Sequence, residues 1–239
     1  PASMRYWWRI NSDQRKNFRI TFGNSQSWSK YGHSHYNNIW ANLSYRPHNA
    51  VDITLSPSVN FSKKKLQYVS TEKYKEEDRY IMASINRTTV KMSLRLNFSL
   101  TPNLSVQYWG QPFIATGDYN NFKKITNSTA NNYDNRYKTF DKSQINYAKE
   151  DELYEFDENS NGITDYTINN PNFKVFQLKS NFVARWEYNP GSTIYLVWSQ
   201  NKNDHITDGP FRFKQDFTQL GKIFPHNVFL IKFTYRLGL

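Results

Sequence analysis

Apolar and polar residues alternate at period two along most of this chain. The run from Val228 to Leu239 shows it most fully. Phe229, Ile231, Phe233, Tyr235, Leu237 and Leu239 share one face, while Val228, Leu230, Lys232, Thr234, Arg236 and Gly238 share the other. The same alternation runs from Met4 to Ile10, Phe18 to Phe22, Ile39 to Tyr45, Val51 to Phe61, Val90 to Leu100, Leu104 to Ile114 and Phe176 to Tyr188. Helical periodicity is weak, so the pattern predicts an all-β chain of about nine strands. In the clearest strands one face carries no Lys, Arg, Asp or Glu.

The connections alternate in length. Ser12 to Gln14, Pro47 to Asn49, Thr101 to Asn103 and Asn189 to Gly191 read as tight turns. Between them the spacing predicts a loop from Asn24 to Tyr36 and a long hairpin connection marked by Lys63 to Lys65 and Glu72 to Arg79. It also predicts a polar insertion over 118–172, a loop from Lys202 to Pro225, and an irregularity near Asn86 and Arg87. Short turns at one end and long loops at the other are the habit of outer-membrane barrels. A soluble sheet with one wetted face shows the same alternation but has no reason to gather its long loops at one end. The expected fold is therefore an antiparallel transmembrane β-barrel, with 1–239 as one barrel domain or a fragment of a larger one.

Parity sharpens that expectation. With the last strand ending on the short-turn side, about nine strands place the start of the first on the long-loop side, whereas single-chain bacterial barrels have even counts. The chain is thus expected to be the C-terminal portion of a larger barrel.

Composition agrees with a membrane barrel. Mean hydropathy is −0.82 and the hydrophobic fraction 38%, too low for helical spans, but barrel strands need only half their residues apolar. Aromatic residues make up 17% of the chain, material for interfacial girdles. Cysteine is absent, which removes disulfides, Cys-based zinc sites and thiol catalysis. No secretory leader opens the sequence.

Three stretches carry a family resemblance: Leu104 to Phe113, Asn181 to Gln200, and Asn227 to Tyr235. The most specific is Arg185-Trp186-Glu187-Tyr188-Asn189-Pro190-Gly191-Ser192-Thr193. They resemble the C-terminal barrel of an uncharacterised Bacteroidota domain-of-unknown-function family whose members carry an N-terminal carbohydrate-binding module of the family-nine type. The resemblance implies the outer membrane of a Gram-negative bacterium and an absent N-terminal region; it implies no mechanism. The final strand is also similar to the terminal signal of outer-membrane barrels, although it ends Leu-Gly-Leu where many end in Phe.

Net charge is +11. Arg5, Arg9, Arg19, Arg46, Lys91, Arg95, Lys179, Arg185, Lys232 and Arg236 all fall on the polar strand face, with Asp52 and Glu187 among the few acids. In a barrel this makes a cationic lumen suited to anionic solutes or an acidic plug, or a ladder of mutually paired charges. Cations spread singly along strands do not suit nucleic acid. Asp157, Asn159, Asn161 and Asp165 follow the first part of a calcium loop, with Gly162 at its turn, so calcium is the one candidate cofactor. Ile168 stands where the bidentate Glu of an EF-hand would be, leaving Glu150, Asp151, Glu152 and Glu155 to complete the shell or the loop to be merely acidic and solvated. His33 and His35 read as a surface pair, and no hydrolase, zincin, phosphate-loop or dinucleotide motif is present.

The leading expectation is a non-enzymatic barrel, an anchor or a solute passage linked to carbohydrate binding by the absent region. An outer-membrane enzyme working through its long loops is the first alternative, and a plugged, substrate-specific transporter the second. Expected partners are outer-membrane lipid and lipopolysaccharide, the rest of the barrel and other envelope proteins.

Overall fold

The computed structural model describes residues 2–237. The main strands, in chain order, are β1 (Ser3–Asn11), β2 (Phe18–Ser29), β3 (Ser34–His48), β4 (Val51–Tyr74), β5 (Glu77–Thr101) and β6 (Leu104–Ile125). Short strands β7 (Tyr137–Thr139), β8 (Ile145–Ala148), β9 (Leu153–Phe156) and β10 (Tyr166–Asn169) follow, then β11 (Phe173–Asn189) and β12 (Ser192–Ile206). Helix α1 (Phe213–Lys222) precedes the last strand, β13 (His226–Thr234). Among the described residues one ten-stranded antiparallel sheet runs β1-β2-β3-β4-β5-β6-β11-β12-β13, with β7 beside β6. The expected all-β antiparallel fold is present, and the long strands match the pattern of alternation. The sheet is open, with β1 and β13 as its edges.

Several boundaries differ from those expected, for one shared reason. Toward the long-loop end both faces become polar, so the contrast between faces fades while the backbone ladder continues. Most of the loop expected from Asn24 to Tyr36 is paired: Ser25 lies opposite Asn38 and Ser27 opposite Tyr36. The charged residues Lys63 to Lys65 and Glu72 to Arg79 belong to β4, β5 and the two-residue turn between them. That turn is Lys75-Glu76, both at positive φ (49° and 66°), as a type I′ hairpin demands. The register is regular at Asn86 and Arg87; it shifts instead at Lys64/Gln67, Tyr68/Ser70 and Met82/Ser84.

The insertion begins later than expected, because β6 continues to Ile125. Its body is a separate three-stranded sheet, β10-β9-β8. Phe156, Phe140, Tyr166 and Ile168 pack there against Ile81, Ala83 and Phe122 of the extended hairpin. The segment expected as a loop from Lys202 to Pro225 holds the end of β12 and all of α1. The terminal strand stops at Thr234, and Gly238 and Leu239 lie outside the described residues. Short connections fall near the four expected places, but the first runs from Ser12 to Asn17, and Pro47 and His48 belong to β3, leaving Asn49 and Ala50 as the turn. The ladder shifts between Tyr45 and His48, where Pro47 offers no N–H.

Buried apolar clusters lie beside the sheet's apolar band, not over it. One is the cap just described; the other forms where α1 covers Ile114 and Phe176 with Leu220. Most of the band is uncovered: Met4, Ile10, Phe229, Ile231 and Phe233 are exposed.

Candidate functional site

Antiparallel pairing places directly opposed residues on the same face, so the register traces each face across the sheet. One cross-strand row reads Arg19–Ser44–Thr54–Arg95–Trp109. The next reads Arg9–Gly23–Trp40–Ser58–Lys91–Phe113, and the third Arg5–Ser27–Tyr36–Ser62–Arg87–Gly117. Each row sets one cation on β1 or β2 against another on β5, with hydroxyl side chains between and, in the second and third rows, an aromatic ring from β3. Strand spacing puts the paired columns about 14–19 Å apart, and a step of four residues separates successive rows by about 13 Å. Farther round, Lys179 lies opposite Asn201, while Tyr195 lies between Arg185 and Lys232.

Nine of the ten expected cations therefore share one face, and the register adds Lys64 and Arg87 beside the rows and Arg79 and Lys124 under the cap. The missing signal was Arg87's place at i, i+4 and i+8 with Lys91 and Arg95. Arg236 is the exception: it lies past the end of β13, its backbone N–H donates to Ser192 Oγ at 3.0 Å, and its side chain packs over Gly191. The two acids expected on this face are spent on neighbours, Asp52 with Arg46 and Glu187 with Arg185 at 2.8 Å. Among the described residues Arg5, Arg9, Lys64, Arg87, Lys91, Arg95 and Lys179 form no ion pair.

The uncharged residues between the cations form a fixed polar floor. Arg19 Nη2 donates to Ser44 Oγ (2.9 Å), Asn42 Nδ2 to Ser56 Oγ (2.8 Å), Ser58 Oγ to Asn38 Oδ1 (3.1 Å) and Trp109 Nε1 to Ser93 Oγ (3.1 Å). Trp40 lies flat over Gly23, where any β-carbon would collide with the indole, so the pair needs glycine.

The cap sits on this same side. Between Ile81 and Lys91 the extra residues at the register shifts lie on β4 and β6, so β5 itself alternates without a break; Ile81, Ala83 and Ile85 project as Arg87 and Lys91 do, and the cap packs on the first two. At its base Glu158 is sealed, accepting from Tyr166 Oη at 2.9 Å and from the Lys124 ammonium, with Arg79 ion-paired beside it at 3.3 Å. Burial first, then the Glu158 bond, raises the Tyr166 phenol well above its ordinary range. The carboxylate is saturated by these partners and acts as a clamp between cap and hairpin.

The calcium-like residues turn inward upon their own loop. Asp157 accepts from the backbone N–H groups of Asn161 (3.2 Å) and Gly162 (2.7 Å), and Asn159 Oδ1 accepts from Asn161 N (3.0 Å). Asn161 Oδ1 accepts from Ile163 N (2.9 Å), and Asp165 Oδ2 from Glu158 N (2.7 Å). Glu155 takes a bond from Asn146 instead of turning to the loop. Among the described residues no cluster of three or more His, Asp or Glu side chains could hold a metal. The histidines are not a surface pair: His33 is buried and stacked on Tyr133 at 3.6 Å, and His35 stacks on Trp28 at 5.6 Å.

Neither a curated protein nor a solved structure matches this chain. A family model spans residues 1–238, and the chain belongs to that family, described as Domain of unknown function (DUF5916).

Proposed function

We propose that this sheet is wall from an outer-membrane β-barrel, its cationic face lining a lumen that admits anionic solutes. The observation that carries the reading is the opposition of the two faces across the long strands. On β4 the apolar face runs from Val51 to Phe61 without a charge. That is about 33 Å along the strand, or about 25 Å of height at the usual barrel tilt, the depth of an outer-membrane apolar band. Trp186, Tyr188 and Phe233 gather near the tight turns, and Trp198 stacks on Phe229 (5.9 Å) toward the other end, as interfacial girdles do. An uncovered apolar surface of this extent is costly in water and at rest in lipid.

Lipid also requires the two edges to be paired. β1 and β13 both run toward the tight-turn end, so joining them directly would make a parallel pair in an otherwise antiparallel sheet. Closure by an odd number of further strands, added to the nine on the path from β1 to β13, keeps the alternation and gives an even total. The resemblance to Bacteroidota proteins with a carbohydrate-binding module suggests that such strands and the module belong to one polypeptide. The outer face would meet outer-membrane lipid and lipopolysaccharide.

Planar-bilayer recording tests the reading. A conductance whose reversal potential in a salt gradient favours anions is expected; a silent bilayer leaves a membrane anchor. A gated lumen is the second reading, favoured by the cap's position on the cationic side of β5. Deleting the cap would then raise conductance.

A further inference from the structure

We propose that the mouth of the cationic face holds a binding site for an anionic sugar, one bearing a carboxylate, sulfate or phosphate. This rests on the lumen reading and names the solute class for which that lumen is built. A cavity of about 550 Å³ opens over the long-loop end of β1 to β4, lined among others by Arg5, Trp7, Ser27, Tyr36, Ser62 and Lys64. The register puts all six on the cationic face: Arg5, Ser27, Tyr36 and Ser62 in one row, Trp7 one step toward the tight turns, and Lys64 one step away from them.

Each part of the lining matches one feature of such a ligand. Arg5 and Lys64 stand three strands apart, about 14 Å between backbones, and neither has an acid partner among the described residues. Their long side chains can close on a negative group from two sides, and the Arg5 fork suits a planar or tetrahedral oxyanion. Ser25, Ser27, Ser34 and Ser62 supply hydroxyls, each able to donate and accept, the complement of a polyhydroxylated ring. Trp7 is 67% exposed on a face that does not meet the lipid, and among the described residues neither it nor Tyr36 stacks on another ring. An indole left open beside hydroxyls and cations offers a flat apolar surface to the C–H face of a sugar, fixing orientation where the charges fix position. A small inorganic anion would use the cations and leave the rings idle.

The test is Trp emission of the detergent-purified protein titrated with trigalacturonate, a neutral galactose trisaccharide and inorganic phosphate. Trigalacturonate should change the emission saturably, with the neutral trisaccharide and phosphate each at least tenfold weaker. Trp7→Phe should abolish the optical change, and Arg5→Gln with Lys64→Gln should weaken binding tenfold or more. The neutral sugar binding as well as the acidic one overturns the proposal. So does phosphate binding as well as the acidic sugar, or an emission change that survives in W7F together with R5Q/K64Q. Bilayer selectivity of the unsubstituted protein is a separate readout. Anion selectivity without trigalacturonate binding sinks the site alone, whereas binding without selectivity sinks the lumen reading alone.

Discussion

The ammonium of Lys174 lies 2.8 Å from a carboxylate oxygen of Asp216, and both side chains are sealed from water. Lys174 projects from β11 on the apolar side of the sheet, just beyond Phe176; Asp216 sits in the first turn of α1. The other Asp216 oxygen accepts from the backbone N–H of Arg212 (2.7 Å), and Asp208 takes Lys174 at 2.9 Å and Arg212 at 2.8 Å. This network fastens α1 over Ile114 and Phe176. Removing one partner of a buried pair strands the other charge, at about 3–5 kcal/mol. Lys174→Met should therefore lower stability by about that much and free the α1 amides to exchange. Lys174→Met with Asp216→Leu should lose less than the single variant, and hydrogen exchange with melting in detergent checks both.

Lys123 makes the cap hairpin sensitive to alkaline pH. Its ammonium is buried, donating to Ser84 Oγ at 2.9 Å and to the Asn121 carbonyl, with no carboxylate beside it. Burial, aided by the Lys65 charge, lowers its pKa from 10.5 to about 8. Between those two values the unfolded chain binds more protons than the folded one, so stability rises with pH across that interval. Below it both states are protonated, and the cost of the buried charge is fully present. Melting of the wild type should thus rise from pH 8 to pH 10, while Lys123→Met should be flat there and more stable at pH 7. Equal slopes for the two proteins would refute it.

How much of this was legible in the sequence depended on contrast between faces. Where Val51 to Phe61 and Val90 to Leu100 set apolar against polar, strand and face were readable residue by residue. Past that band Ser25, Ser27 and Lys63 keep their backbone partners but lose the contrast and read as loop, while Arg87 reads as an irregularity in its strand. Helix α1 did carry a signal, because Phe213, Phe217 and Leu220 recur at helical spacing, but it is short and set among polar residues. The ladder of cations was visible as a face. Its arrangement in rows was not, since the register rests on pairings between distant segments.

Asp157 should matter to the loop rather than to calcium. Its two oxygens hold backbone N–H groups of Asn161 and Gly162, the service a helix cap performs. Asp157→Ala is expected to cost about 0.5–2 kcal/mol of local stability, by analogy with cap removal. Millimolar calcium should leave the wild-type melting temperature in place. A calcium-dependent rise, lost in D157A, would restore the metal site.

Neighbouring positions on β4 separate the two faces. Leu55 lies opposite Leu43 and Leu94 in the middle of the apolar band, while Ser56, one residue on, lies opposite Ser93 on the cationic side. An arginine facing lipid at mid-depth costs about 2–4 kcal/mol in a barrel, and one facing a watery lumen costs little. Leu55→Arg should then lose about that amount in urea unfolding from lipid vesicles, with Ser56→Arg nearly unchanged. Two equal losses would mean that neither face meets lipid.

Charge inversion on β5 tests what the rows do together. Arg95 shares a row with Arg19 and Lys91 with Arg9, each pair separated by about 14–19 Å of polar floor. That is one to two Debye lengths at 0.1 M salt, so an anion between the columns feels both, and cations are repelled by both. Replacing Lys91 and Arg95 by Glu leaves one cation and one anion in each row, which cancels the net repulsion of cations and removes the shared well for anions. The anion preference read from the reversal potential should fall several-fold or reverse, more strongly at low ionic strength, where screening is weakest. The same two-charge inversion at Lys142 and Lys149, on the cap away from the rows, should leave the reversal potential unchanged. An effect of equal size from both double variants would show that net charge, not the rows, sets selectivity.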